Sequence, residues 1–176
     1  MIRVKGTTKG MAAFQKKLAS LQQRRHLLDR GPSVTVGIHQ DAVYPDGTPV
    51  AHVAAWNEFG TTRTVMGADG KTHQVVHTPE RSFIRSSVRE NEEKTRKWRA
   101  ELVQKIGSSP QWTTAKALDA MGFRLREVIR NKIKSNVPPP NAPRTLAAKR
   151  LAGVPERTLM FSEHMLNSVT YQVHES

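Results

Sequence analysis

His73 and His77 stand four residues apart, a spacing that lets two imidazoles share a metal ion when both lie on one helix face. Thr72, Val75, Val76 and Thr78 around them favour a strand instead, where side chains four apart point the same way at a separation of about 13 Å. One ion does not bridge that gap. The chain has no HExxH pair and no carboxylate cluster, and with no cysteine it offers neither a thiolate ligand nor a thiol nucleophile. Gly67-Ala68-Asp69-Gly70-Lys71-Thr72 ends like a phosphate loop, but its glycines are wrongly spaced and a strand-like segment follows where a helix should begin. A GxSxG elbow is missing, and Ser, His and Asp recur without an arrangement that defines a triad. The expectation is a protein that is not an enzyme and uses no cofactor and no metal.

Charge points elsewhere. The 176 residues carry a formal net charge of +13 with a pI near 10.6, an excess that attracts polyanions through counterion release whatever the fold. DNA nearby is the expected setting; an acidic protein partner would match the same charge. Aromatic residues make up 6 % of the chain and are too scattered for a platform that stacks single-stranded bases. The absence of cysteine fits a reducing compartment, and neither a secretory h-region nor a membrane-length apolar run is present, so no membrane partner is expected.

The stretch from Thr48 to Phe83 organises the chain. Thr48-Pro49 reads as a helix start with a capping hydroxyl, and Val50, Val53, Ala54, Trp56 and Phe59 continue at helical spacing until Gly60. Thr61 to Val65 and Thr72 to His77 are rich in β-branched residues and flank Gly67-Ala68-Asp69-Gly70, which predicts a hairpin arm over 61–78. Thr78-Pro79-Glu80 then restarts helix. Trp56, Phe59 and Phe83 are either core aromatics or the base of an assembly arm.

On either side, Ile2 and Val4 allow an edge strand, and Met11, Phe14, Leu18, Leu21 and Leu28 mark a basic amphipathic helix ended by Gly31-Pro32. Val34, Val36 and Ile38 alternate as a half-buried, central strand. A long helix is expected from Arg81 to Ile106 with a charged middle, Arg89 to Lys97. Gly107-Ser108-Ser109-Pro110 breaks it and caps the next helix, whose stripe of Leu118, Met121, Gly122, Leu125, Val128, Ile129 and Ile133 is the most regular in the chain. The other face of that helix, with Arg130 and Lys134, is either solvated or turned toward nucleic acid. Val137 to Pro143 is a stiff connector, Arg144 to Leu151 a short basic helix, Ser162-Glu163 the start of a last helical turn, and Val169, Tyr171 and Val173 a closing strand. The expected fold is α+β, a single domain over 1–176: a small, mostly antiparallel sheet of about four to five strands packed against two long helices, with a projecting arm.

Trp56-Asn57-Glu58-Phe59-Gly60-Thr61 followed by Pro79-Glu80-Arg81-Ser82-Phe83-Ile84-Arg85 resembles the "NEFGT … P-x-R-P-F-L-R" signature of the tail-completion, or head–tail joining, proteins of tailed bacteriophages, the group that includes minor tail protein Z. Val34 to Ile38 resembles their "VxVGI" strand, Asn141 to Arg150 their "LxPxTxxxK" segment, and Leu159 to Val173 their closing block. Ser82 stands where the signature has proline, and Ser162-Glu163 where it has Thr-Gly. The resemblance implies a structural virion protein of the phage neck, assembled in the host cytoplasm. Its expected form is a ring, a hexamer, between the head connector and the tail terminator or tail tube, with the genomic DNA passing through without sequence specificity. It places Trp56, Glu58, Phe59, Arg63, Arg81 and Phe83 at a subunit interface, and Arg130, Lys134, Arg144, Lys149 and Arg150 on the DNA channel. A tail terminator ring and a stand-alone basic DNA-binding protein are the alternatives.

Overall fold

The computed structural model of the chain describes residues 31–39, 41–160 and 163–175. The strand at Ile2 and Val4, the helix over Met11 to Leu28 and the Ser162 position of the last helix start lie outside the described residues. In chain order come strand β1 (Ser33–Ile38), helix α1 (Val50–Phe59), strands β2 (Thr61–Met66) and β3 (Thr72–Thr78), helices α2 (Ile84–Glu90), α3 (Glu92–Ser108), α4 (Thr114–Lys134), α5 (Pro143–Leu151) and α6 (His164–Asn167), and strand β4 (Val169–His174). The class is α+β.

Helix α4 is the axis of the body. Its stripe buries Ala117, Met121, Gly122, Ile129 and Ile133, and its N-cap is Thr113, whose hydroxyl accepts from Lys116 N at 3.2 Å. The cap is therefore not the expected Ser109-Pro110 pair. Strands β1 and β4 lie antiparallel on this helix, from Ser33 opposite His174 to Ile38 opposite Val169. Gly122 lets them close in: a β-carbon there would run into the Tyr171 ring and lie 2.9 Å from Val34. Further along α4, in the larger core cluster, Phe83, Ile129, Ile133, Val50 and Val169 are almost fully buried. Each contributes roughly 1.5–3 kcal/mol by leaving water.

Two expectations are corrected. Among the described residues the strands form two separate two-stranded ladders, β1–β4 and β2–β3, not one sheet, and there β1 has one neighbour, β4. Strands β2 and β3 pair with each other, and their side chains are exposed or half-buried on both faces, so neither face of the arm is packed on the first ladder. The long helix from Arg81 is also two helices. Asn91, at φ −111° and ψ 18°, departs from helical geometry, and its side-chain amide donates to Ser87 O at 2.9 Å, competing with the backbone pattern. At the front of α1, Pro49 takes the N-cap position without a side-chain bond, and the Thr48 backbone N–H instead donates to Asp46 Oδ1.

Candidate functional site

Glu58 lies in the last turn of α1 and is 3 % exposed. Its carboxylate accepts from the backbone N–H groups of Phe83 (2.7 Å), Ile84 (2.9 Å) and Arg85 (3.0 Å), donors at the start of α2 that have no partner within the helix. The Ser82 hydroxyl and Arg85 Nε donate to it as well, each at 2.9 Å. Helix α2 has no side-chain cap at its own N-cap residue, Phe83, so the start expected from Thr78-Pro79-Glu80 is replaced by a carboxylate reaching in from another helix. Burial alone would push the Glu58 carboxyl up. The N–H groups of Ile84 and Arg85, the Ser82 hydroxyl and the Arg85 guanidinium more than offset that and hold it below the usual carboxylate range.

Arg85 completes the clasp. Its Nη2 donates to Glu58 O and to Glu80 Oε1, both at 2.7 Å, and its guanidinium lies 4.7 Å from the centre of the Phe59 ring. Gly60, at φ 68°, ends α1 where the chain is crowded: a β-carbon would sit 3.0 Å from Glu80 N and 3.1 Å from Thr78 O. Arg81 N donates to Asn57 O at 2.6 Å. The arm leaves this clasp at Thr61 and re-enters it at Thr78, so both of its feet are held by the same few residues.

Beyond the clasp the arm is a ladder with little cover. Met66 is 72 % and Val76 69 % exposed. Its tip is locally well bonded: Gly67 N donates to Lys71 O, and the Asp69 carboxylate accepts from Lys71 N and lies 3.0 Å from His73 Nε2. The His73 ring, followed by the Lys71 N–H, holds the Asp69 carboxyl below its usual value. His73 thus serves the turn, and among the described residues no group of His, Asp and Glu could hold a metal ion.

Of the residues expected at a subunit interface, Glu58, Arg81 and Phe83 are buried within the chain at 3, 7 and 0 % exposure, and Phe59 is half-buried beneath Arg85. They fix the arm's direction and offer a neighbour almost no surface. Trp56, 39 % exposed beside His52, and Arg63 on the arm stand at the surface. The basic residues divide likewise. Lys149, expected on the channel, is buried at 3 % exposure, and its ammonium donates to the carbonyl oxygens of Pro155, Arg157 and Met160. Arg150 pairs with Glu156, and Arg130 Nε stands 3.9 Å from Glu127. Lys134 and Arg144 are exposed. Other α4 cations are also matched, Lys132 by Glu90 and Arg124 by Glu101, so this face is less positive than its sequence.

The function of Glu58 as a distant cap escapes any local pattern, since its acceptors' partners lie 25 to 27 residues away. Lys149 reads from its spacing as one of several surface cations. No known protein family, no curated protein and no solved structure matches this chain.

Proposed function

We propose that this chain is a structural, non-enzymatic component of a tailed-phage neck: a ring-forming tail-completion protein, built as a hexamer, that joins the tail to the head connector around the DNA channel. The observation that carries the reading is the β2–β3 arm, a two-stranded ladder with exposed Met66 and Val76, held at both feet by a buried clasp. A lone two-stranded ladder is marginal in water and gains stability by burying a face against something else. A stiffly mounted arm with that need suits a head-to-tail contact with the next copy, the kind of interface that closes rings. The motif order from Asn57 to Arg85 supports the same reading, because those residues are the ones that build the clasp. Among the described residues the outer edges of the β1–β4 ladder carry no further strand, which offers a second place for a neighbour to add one. Among the described residues no helix is long and apolar enough to cross a membrane.

Deleting Met66 to Thr72 tests this. The expected product folds as a monomer with an unchanged unfolding midpoint but does not form rings and does not restore phage yield; normal yield would end the proposal. A tail terminator ring shares these properties and differs in position, which imaging of assembled particles reads directly. The net charge of +13 favours one reading of another class, a free-standing DNA-binding protein. That reading requires the isolated monomer to bind duplex DNA tightly with a steep salt dependence.

A further inference from the structure

Arg81 and Lys149 present an arrangement that clasp and arm do not use. Both are buried, at 7 % and 3 % exposure, and both line one cleft of about 640 Å³ at the foot of the arm, between α1, the proline connector and α5. Arg81 Nε donates to Pro139 O at 2.8 Å and Nη2 to Pro140 O at 3.0 Å; among the described residues its Nη1 has no acceptor and no carboxylate pairs with the guanidinium. A buried cation held only by carbonyl dipoles is poorly compensated. Burial lowers the Arg81 guanidinium below its ordinary value, and burial followed by the charge of Arg81 does the same to the Lys149 ammonium. The carboxylate that lines this cleft, Glu163, is exposed.

We propose that the cleft between Arg81 and Lys149 is a receptor for a single carboxylate presented on an acidic side chain of a partner polypeptide. A carboxylate entering it would meet the open Nη1 edge of Arg81 and the field of both cations, focused by low-dielectric walls. Tyr44, Pro139, Pro140 and Met165 along the cleft suit the aliphatic stem of such a group. Duplex DNA is a poor fit, because its phosphates sit on a stiff cylinder and the guanidinium is recessed below the surface. The inference stands whether or not the chain belongs to a phage neck.

The test uses the full chain labelled at arginine side chains. Titration with glutarate is expected to move the Arg81 Nε–H resonance saturably and raise the unfolding midpoint, while a short DNA duplex leaves that resonance in place. Glutarate should also bind about tenfold more tightly than inorganic phosphate, which lacks a stem for the apolar walls. Lys149→Gln, which keeps a donor for the carbonyls and removes the charge, should weaken glutarate by about tenfold. An Arg81 signal indifferent to glutarate, one moved as strongly by DNA, a reversed preference for phosphate, or unchanged affinity in Lys149→Gln would each overturn the assignment. The wild-type titration decides the matter even if the variant does not fold.

Discussion

The molecule contains two antiparallel ladders of nearly equal length, one over Ser33–Ile38 and Val169–His174, the other over Thr61–Met66 and Thr72–Thr78. Their backbone bonding is of one kind, yet Val169 is 1 % exposed and Val76 is 69 % exposed. The first ladder is held by what it packs on, α4 with Gly122 cut away to admit Tyr171 and Val34. The second is held by its turn and by a clasp at its feet. Strand pairing is antiparallel in both, with a register shift at Thr61/Thr62 in the arm, and burial decides which is core and which is available to a partner.

The largest expected effect comes from the link between them. Glu58→Ala removes the cap of α2 and leaves buried N–H groups without an acceptor, which should cost about 3 kcal/mol in urea unfolding, with Glu58→Gln losing less because it keeps one acceptor oxygen. Next, Val169→Ala in the body ladder should cost about 2 kcal/mol, whereas Val76→Ala in the arm should stay within about 0.5 kcal/mol. Equal costs would mean that the arm is packed in solution, and the contrast would fail.

Acid sharpens the same division. The folded-state pKa of Glu58 is lowered, so its contribution to stability is complete above the unfolded carboxylate value of 4.5 and is lost as pH falls through the lower folded value. The wild-type midpoint should drop across that acid window, and Glu58→Gln should flatten the drop. The smallest effect belongs to Glu101, whose carboxyl is held at about 2 by the Arg124 and then the Lys105 side-chain bonds on an exposed surface. Glu101→Gln should leave the unfolding midpoint nearly unchanged, although a proton titration followed by NMR should find this carboxylate still ionised near pH 3 in the wild type.

Much of this was legible where structure is decided locally. The arm follows from Gly67 to Gly70 between β-branched runs, and α4 from an apolar period sustained from Leu118 to Ile133. What was not legible depends on partners far along the chain. Nothing near Val34 says that it pairs with Val173 and with no third strand among the described residues, and nothing near Ile84 says that its cap is Glu58. Lys149 has the spacing of a surface cation, and only the fold of 155–160 turns three carbonyls toward it. The resemblance puts the motif residues Glu58, Arg81 and Phe83 at an interface, while the geometry makes them the support on which an interface can be mounted.

The pairing of Ser33 with His174 has a consequence for how the protein is made. The arm can form as soon as its own hairpin has left the ribosome, but β1 must wait for the last strand to be translated before it finds its partner. Until then the apolar stripe of α4 has no ladder over it, and a nascent chain stalled before Val169 would expose that stripe to chaperones and to other chains.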